Sequence, residues 1–315
     1  MYIQALQDPP HQSVMLEEAL YYLNPEPGKI YVDCTFGAGG YSKAILNKAD
    51  CNLFAIDRDP DVEKFANIIA KDFSKFKFSL GKFSEISSIL NSYNISKVDG
   101  IILDLGVSSM QLDTRSRGFS FMESAYLDMR MGKEGRDAAY VVNNYTEQEL
   151  ADIIYYFGDE KDARKIARKI CNEREKAEIA TTEKLAEIIR SVKSKKYSKI
   201  DPATKTFQAF RIYVNDELEE LKTIINQVDN LLNENGRLVI VSFHSLEDKI
   251  VKDFINIKLG KNRATSRHVP IFNDDFRSNY ISLTKGAGKP SEDEVKSNPR
   301  SRSARLRAIE KIGNA

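Results

Sequence analysis

Short hydrophobic runs alternate with amphipathic stretches over roughly the first third of the chain. Four runs have the character of strands, at residues 30–36, 52–57, 76–80 and 100–105. Each is rich in Ile, Val, Phe or Leu, and most end near Gly or Asp, as parallel strands joined by helical crossovers do. A fifth run, 237–243, comes more than a hundred residues later. The pattern predicts an α/β sheet interrupted by a long insertion.

Helical patterns fill that insertion. Thr146 and Glu149 have the spacing of a capping box, and Gly158 is placed to end the helix that follows. A second helix has an apolar face opposite a row of basic residues. The apolar positions are Ala163, Ile166, Ala167, Ile170 and Cys171, and the basic ones are Arg164, Lys165, Arg168 and Lys169. One long helix, with inward positions from Phe207 to Ile225, is predicted to lead back to the fifth strand.

The last part of the chain continues the sheet. A helix capped by Ser245 and Asp248 is expected to follow the fifth strand, and two β-like runs, 280–284 and 304–309, are expected to extend the sheet edge. We therefore predict a discontinuous α/β core with an inserted, all-helical domain. The core is assigned residues 1–112 and 207–315, and the inserted domain residues 113–206.

Composition narrows the class of protein. Of 315 residues, 42% are hydrophobic and 30% charged, which is ordinary for a globular chain. No apolar run approaches the roughly 18 residues that span a bilayer, and the start lacks signal-peptide character. We expect a cytoplasmic protein without membrane association; no pattern in the sequence predicts its oligomeric state.

The three cysteines lack paired spacing, and the histidines at 11, 244 and 268 are scattered, so no metal site is indicated.

The net charge of +1 hides two basic stretches. Residues 161–200 contain thirteen Lys or Arg against six Asp or Glu, and residues 296–311 contain six against one. Such stretches are candidate surfaces for nucleic-acid phosphates, although a solvated helix face has the same composition.

A glycine-rich turn follows the first predicted strand. Gly37, Gly39 and Gly40 come where a helix begins, which lets a ligand approach the backbone and the helix N-terminus. Asp57 ends the second strand, 57 − 37 = 20 residues after Gly37, where an acid binds ribose hydroxyls. The pair indicates an adenosine-containing cofactor, and both methyltransferases and dehydrogenases use it. Because position 42 is Ser, the third glycine of a dinucleotide loop is missing, which disfavours the NAD alternative.

Asp104 ends the fourth strand, beside the position where sheets of this kind bind ligands. The lone pair of a nucleobase amine is delocalised into the ring, so such an amine attacks a methyl group poorly. A carboxylate that accepts the N–H hydrogen bond, or takes the proton, would restore its nucleophilicity. Asp104 is therefore a candidate catalytic residue; a purely structural or cofactor-positioning role is the alternative.

Several segments together resemble the MraW (RsmH) family, the bacterial 16S rRNA cytosine-N4 methyltransferases. The similarity runs nearly end to end. It is carried by residues 11–18, the loop at 33–42, residues 56–60, 103–112, 117–122, 127–131, 206–212, 242–248 and 298–303. The resemblance implies a Rossmann-like S-adenosylmethionine-dependent fold, with the core acting in catalysis and the inserted domain in substrate recognition.

The resemblance also implies roles for single residues. Contacts to S-adenosylmethionine, whose product is S-adenosylhomocysteine, carry over to Gly39, Gly40, Tyr41, Asp57, Phe83, Asp104 and Gln111. Relatives often have His where this chain has Tyr41, so a backbone contact there is expected to persist while a side-chain contact is not assured. Aromatic residues that could stack on the target base are Phe119, Phe121 and Phe243, in no order of preference.

The implied substrate is a cytidine in the decoding region of 16S rRNA, within the 30S subunit. The basic residues would then hold RNA phosphates while the base turns towards the methyl group. Three alternatives remain open at this point: an NAD-dependent oxidoreductase, a noncatalytic RNA-binding or assembly factor, and a DNA cytosine methyltransferase. The last is disfavoured because residues 104–107 lack the prolines and aromatic residue typical of those enzymes.

Overall fold

The computed structural model describes residues 13–193, 201–261 and 278–313. Within that part of the chain, two compact units are formed. We call residues 1–106 with 219–315 the α/β unit, and residues 107–218 the helical unit. His11, His268 and the basic residues of 194–200 lie outside the described residues.

The α/β unit is built on one seven-stranded sheet in the order β3-β2-β1-β4-β5-β7-β6. The strands are β1 (Ile30–Asp33), β2 (Asn52–Asp57), β3 (Phe76–Leu80), β4 (Val98–Asp104), β5 (Leu232–Ser242), β6 (Tyr280–Ser282) and β7 (Arg305–Lys311). The first five are mutually parallel, and β7 pairs antiparallel with β5 and β6. The predicted Rossmann-like α/β class is confirmed, and so is the strand pair at the edge.

The register of the sheet brings three aspartates to one edge. Asp33 lies opposite Ala55 and Ile102, Asp57 opposite Leu80, and Asp104 opposite Val241. Each aspartate is the last residue of its strand. Because the strands are parallel, these carboxyl groups all lie at the carboxyl edge, where sheets of this class bind ligands.

Helices join the strands of the α/β unit. They are α1 (Leu16–Leu23), α2 (Gly40–Lys48), α3 (Glu63–Asp72), α4 (Ile86–Ser92), α11 (Glu217–Leu231), α12 (Ser245–Lys258) and α13 (Glu292–Ser297). Single 3₁₀ turns occur at Pro60–Val62, Phe83–Glu85 and Pro299–Ser303. The core contains the central strands, packed against apolar positions of α4, α11 and α12. Continuous hydrophobic strands are expected for a parallel sheet that is covered on both faces.

The helical unit has its own hydrophobic core. Its helices are α5 (Ser109–Asp113), α6 (Ala138–Asn144), α7 (Glu147–Gly158), α8 (Ala163–Arg174), α9 (Thr182–Val192) and α10 (Thr204–Asn215), with a 3₁₀ turn at Arg115–Arg117. Thr146 and Glu149 form the predicted capping box at the start of α7. On α8, Ala163, Ile166, Ala167 and Ile170 are buried, as the periodicity predicts.

Two sequence-based expectations for the helices differ from the structure. The predicted long helix is two helices, α10 and α11, because Asp216 adopts a left-handed conformation with φ 53° between them. Phe207 and Phe210 pack into the core of the helical unit. The helical unit, residues 107–218, is therefore longer at both ends than the predicted range 113–206. Periodicity identifies the apolar face of a helix but does not show which hydrophobic core that face packs against. Second, α12 is capped by His244 with Glu247, not by Ser245 with Asp248.

None of the helices in residues 13–193, 201–261 and 278–313 combines the length and the apolarity that a membrane crossing requires.

Candidate active site

The glycine loop connects β1 to α2. Gly37 and Gly39 have φ values of 55° and 80°, in the left-handed region that favours glycine. The Gly39 N–H donates to the Phe36 carbonyl at 2.8 Å, which closes the turn, and α2 begins at Gly40. The first N–H groups of α2 have no acceptor within the helix, so this end favours a ligand with negative or hydrogen-bond-accepting atoms.

Space also requires glycine at two positions of the loop. A Cβ atom on Gly39 would lie 2.5 Å from Ile69 Cδ1, and one on Gly40 would lie 2.0 Å from Ser13 Oγ. Both distances are far below van der Waals contact. Ile69 of α3 and Ser13, before α1, therefore pack directly against the loop backbone, and only glycine fits at positions 39 and 40.

Asp57 holds the loop in shape. Its Oδ2 accepts a hydrogen bond from the Gly37 N–H at 2.7 Å, and its Oδ1 accepts one from the Asp59 N–H at 2.9 Å. Burial raises the pKa of Asp57 to about 6, against the lowering effect of these two bonds. Each carboxylate oxygen retains a further lone pair, so a ribose hydroxyl could still be bound here.

Asp33 is a buried member of the same edge that the sequence analysis did not include among the site residues. It is fully buried, and its two oxygens accept hydrogen bonds from the Thr35 N–H at 3.2 Å and the Ser42 hydroxyl at 2.7 Å. Burial raises its pKa to about 6. The sequence feature that could have identified Asp33 is its place as an acidic residue at the end of an otherwise apolar strand, shortly before the glycine-rich turn.

Asp104 has a different environment at the end of β4. Its backbone N–H donates to Thr35 Oγ1 at 2.6 Å, but its Oδ1 is buried without a hydrogen-bond partner in the described part of the chain. Burial raises the pKa of Asp104 well above its usual range, and the charges of Asp33, Glu247 and Glu294 raise it further. A carboxylate held in this way is a stronger proton acceptor than one in water and has an oxygen still available.

Phe83 and Tyr41 are the two aromatic residues among the predicted cofactor contacts, and both belong to the α/β unit. Phe83 opens the 3₁₀ turn after β3 and packs, half-buried, against the core of that unit. Tyr41 is buried in the first turn of α2, and its hydroxyl donates to the Val14 carbonyl. The Tyr41 side chain thus attaches the segment before α1 to the start of α2.

Gln111 belongs to the helical unit. It is buried at the start of α5, where its Oε1 accepts the Ser108 N–H at 3.1 Å and its N–H donates to Ser108 Oγ at 3.2 Å. The pair forms a capping box. The position predicted to contact the cofactor therefore also fixes the beginning of a short helix.

Comparison with known proteins identifies the family of this chain. A family model described as the MraW methylase family matches residues 8–312. The chain belongs to the MraW methylase family. Curated relatives include "Ribosomal RNA small subunit methyltransferase H" of Rickettsia canadensis, 50% identical over 96% of this chain and 98% of that protein. The protein of the same name from Maricaulis maris is 48% identical over 95% of this chain and 90% of that protein.

Two solved structures are similar to this chain over most of its length. An rRNA methylase from Streptococcus thermophilus covers 98% of this chain and 100% of its own, with 10% identity and a TM-score of 0.41. A putative methyltransferase from Streptococcus mutans, in complex with SAH, covers 96% of this chain and 99% of its own, with 11% identity and a TM-score of 0.43. Family membership rests on the sequence matches. It makes the chain an S-adenosylmethionine-dependent methyltransferase and shows that the oxidoreductase alternative was wrong.

The carboxyl edge suits the donor of this methylase family. S-adenosylmethionine carries a positive charge on sulfur, and the edge provides acidic groups, among which Asp104 has a buried oxygen without a hydrogen-bond partner among the described residues. The start of α2 adds backbone N–H groups, and Phe83 offers a ring after β3. Hydrogen-bonding groups, acidic groups and an aromatic surface are features that a cationic nucleoside needs.

His244 has a structural role in the α/β unit. Its Nδ1 accepts the Glu247 N–H at 3.4 Å, while the Glu247 carboxylate accepts the N–H groups of Phe243, at 2.8 Å, and of His244, at 3.3 Å. The residues 242–248, which carry part of the family resemblance, thus form the N-terminal cap of α12.

A second family segment stabilises the helical unit. The Arg117 guanidinium is buried and donates to the carbonyls of Arg130, at 2.8 Å, and Met131, at 2.6 Å. A Cβ on Gly118 would lie 2.4 Å from the Tyr126 carbonyl oxygen. Residues 117–122 and 127–131 are therefore two neighbouring irregular segments, which also share a hydrogen bond from the Met129 N–H to the Arg117 carbonyl at 3.0 Å. Phe119, one of the proposed stacking residues, is buried in this unit's core.

The basic face of α8 is partly neutralised within the helical unit. Lys165 pairs with Asp162 at 3.1 Å, Arg168 with Glu147 at 3.3 Å, and Lys169 with Glu173 at 2.9 Å. The pairs of Lys165 and Arg168 are largely exposed, whereas Glu173 is partly buried. Exposed pairs contribute little to stability, so Lys165 and Arg168 can exchange their partners for a phosphate.

Some basic residues of the C-terminal stretch, 296–311, bind other groups of the protein, and others are exposed on its surface. Arg307 forms a bidentate pair with Asp248 at 2.8 and 3.0 Å, and Lys311 donates to two backbone carbonyls. Arg300 and Arg302 are exposed. The assignment of the whole tail to RNA binding was therefore too broad, because Arg307 and Lys311 bind partly buried acceptors of the α/β unit.

Proposed function

We propose that this protein transfers a methyl group from S-adenosylmethionine to the exocyclic N4 amine of a cytidine in the decoding region of 16S rRNA, within the 30S subunit. Its relatives are named small-subunit rRNA methyltransferases, which supports an rRNA substrate and a cytoplasmic location. The observation that carries the amine assignment is the buried Asp104 oxygen at the carboxyl end of β4, which has no hydrogen-bond partner in the described part of the chain.

Binding of the donor is assigned to the α/β unit. Gly39, Gly40 and the Tyr41 backbone line the start of α2, Asp57 accepts ribose hydroxyls, and Phe83 lies beside the adenine. Bound S-adenosylmethionine supplies an electrophilic methyl group on a sulfonium centre. Gln111, in the helical unit, is proposed to contact the reacting end of the donor, with Ser108 fixing its side chain.

Asp104 is proposed to activate the amine. Its free oxygen accepts a hydrogen bond from the N4–H, which returns lone-pair density to the nitrogen, and it takes the proton that methylation makes acidic. Burial makes the carboxylate basic enough for that transfer. A neighbouring positive charge on the donor favours the ionised form of Asp104, so donor binding prepares the acceptor.

RNA binding is assigned to the basic surfaces of both units. In the helical unit these are Arg164, Lys165, Arg168 and Lys169; in the α/β unit they are the exposed Arg300 and Arg302. Because these groups neutralise phosphates, RNA affinity should fall with increasing salt. The target base must leave its stack to reach the methyl group.

The test is direct mapping of the methyl group. The protein is incubated with labelled S-adenosylmethionine and either naked 16S rRNA or undermethylated 30S subunits, and modified nucleotides are located by mass spectrometry. We expect label on N4 of one cytidine in the decoding region, with the 30S subunit as the better substrate. Asp104→Ala is run in parallel and is expected to lose activity.

Label on no cytidine would refute the proposal and favour a noncatalytic binding factor. Full activity in Asp104→Ala would refute the role of that residue alone. The variant Asp50→Ala removes an exposed carboxylate of the same unit and provides the matched control, with activity expected to be unchanged.

A further inference from the structure

Glu294 reaches inward from a short surface helix. Helix α13 is capped by Ser291, and most of its acidic residues are exposed. Glu294 is half-buried, and its Oε1 accepts the Met15 N–H at 2.7 Å. Met15 is itself buried and has a left-handed backbone with φ 51°. The carboxylate of Glu294 is thus held against the chain segment before α1.

That segment, Ser13–Met15, lies on the glycine loop. The Val14 carbonyl accepts the Tyr41 hydroxyl, and Ser13 Oγ occupies the space beside Gly40 that a side chain there would need. Gly288 also borders Met15, with its Cβ position 3.5 Å from Met15 Cε. Through these contacts Glu294 is fixed at a defined place near the start of α2, where the donor is proposed to bind.

Among the described residues, the acids around this place have no compensating cation. In that part of the chain Asp33 accepts hydrogen bonds from neutral donors, Asp104 Oδ1 accepts none, and Glu294 accepts one amide N–H. Within residues 13–193, 201–261 and 278–313, no Lys or Arg forms an ion pair with any of the three. The charge of Glu294 contributes to the raised pKa of Asp104 and of Tyr41. The neighbouring Asp293, by contrast, pairs with Lys296 at 3.0 Å.

We propose that Glu294 is a specificity-determining residue that makes the site prefer the cationic methyl donor to its uncharged thioether product. The inference rests on the proposed function, since it takes S-adenosylmethionine as the ligand. Donor and product differ by one positive charge at sulfur and have otherwise nearly the same shape. A fixed carboxylate near the site strengthens donor binding and leaves product binding almost unchanged, which promotes exchange after each methyl transfer.

Binding measurements on Glu294→Gln test this proposal. The amide oxygen of Gln can still accept the Met15 N–H, so the variant removes the charge and keeps the contact. Dissociation constants are measured by calorimetry for S-adenosylmethionine, for S-adenosylhomocysteine, and for sinefungin, which carries an amine in place of the sulfonium. We expect the constants for the two cationic ligands to rise about five- to tenfold and that for the product to change less than about twofold.

Glu292→Gln is the matched control, because it removes an exposed carboxylate from the same helix. It should leave the preference for donor over product as in the wild type. An unchanged preference in Glu294→Gln, whether both affinities fall together or neither does, would overturn the inference while the proposed function stands. Failure of the wild-type protein to bind either adenosyl ligand would instead overturn the proposed function, and this inference with it.

Discussion

The ends of β2 and β4 each present an aspartate at the carboxyl edge of the sheet, and the two carboxylates have opposite environments. Both oxygens of Asp57 accept backbone N–H groups, from Gly37 and Asp59, so that carboxylate builds the glycine loop. Asp104 has a buried oxygen that accepts nothing in the described part of the chain. Burial raises both pKa values, but only Asp57 is compensated by hydrogen bonds.

The contrast separates Asp57, which shapes the glycine loop, from Asp104, whose buried oxygen supports its proposed role in the reaction. A buried polar group without a partner destabilises a protein, so its presence at a ligand-binding edge indicates a function that uses it. Asp33 resembles Asp57 in this respect, because its two hydrogen bonds connect β1 to the loop and to α2. Four substitutions test this division of roles, and they follow in order of expected effect.

Asp104→Asn should show the largest effect and should separate activity from stability. The variant loses the proton acceptor, so turnover is expected to fall by about 100-fold or more. It also removes a carboxylate whose buried oxygen has no partner among the described residues, so the melting temperature at pH 8 should stay the same or rise. Methyl transfer to 30S subunits and thermal unfolding measure the two quantities. A large loss of stability would mean that Asp104 is structural, as Asp57 is.

Asp57→Ala should affect stability and donor binding together. The N–H groups of Gly37 and Asp59 lose their acceptor, which should cost about 2 kcal/mol of unfolding free energy. The loop then loses its shape, so donor affinity should fall about tenfold or more. Denaturant unfolding and calorimetry measure these effects, with the exposed Asp50→Ala as control. A weaker affinity at unchanged stability would indicate that Asp57 acts on the ligand alone.

Asp33→Asn should change how stability depends on pH. Burial raises the pKa of Asp33 to about 6 in the folded protein, above the usual value of about 3.8. Below pH 4 Asp33 is protonated in both the folded and the unfolded chain, and its burial then costs the folded state no ionisation penalty. The wild type loses free energy of unfolding as pH rises from about 4 through 6, because the carboxyl group ionises more easily in the unfolded chain. The variant cannot ionise at this position. Its free energy of unfolding relative to the wild type should therefore increase by at most about 3 kcal/mol between pH 4 and pH 7.5. Unfolding in urea at both pH values measures this, and a constant difference would contradict it.

Tyr41→Phe should have the smallest effect. The variant loses the hydrogen bond to the Val14 carbonyl, which should cost about 1 kcal/mol of unfolding free energy. Donor affinity should change less than about twofold, since the ligand contact assigned at this position belongs to the backbone. The exposed Tyr21→Phe is the control for stability. A strong loss of donor affinity in Tyr41→Phe would place the phenol itself in the binding site.

Much of the fold could be predicted because its signals are local. Hydrophobic runs that end in Gly or Asp mark the parallel strands, Thr146 and Glu149 mark a helix start, and α8 shows its buried face by periodicity. The spacing of 20 residues between Gly37 and Asp57 was enough to predict that they lie close together, because parallel strands bring their carboxyl ends to one edge of the sheet. The break at Asp216 was missed, since a single left-handed residue leaves the apolar period nearly intact.

The sequence by itself thus determined the class of the sheet, the glycine loop and the acidic residues at the ends of β2 and β4, because each depends on neighbours along the chain or on strand direction. Only the tertiary structure decided what those acids do. It gave Asp57 two N–H partners and left Asp104 with a buried oxygen, and it placed Glu294, 279 residues away in the sequence, against Met15. Burial and hydrogen-bond satisfaction depend on distant segments that meet only in the folded chain, so no local pattern encodes them.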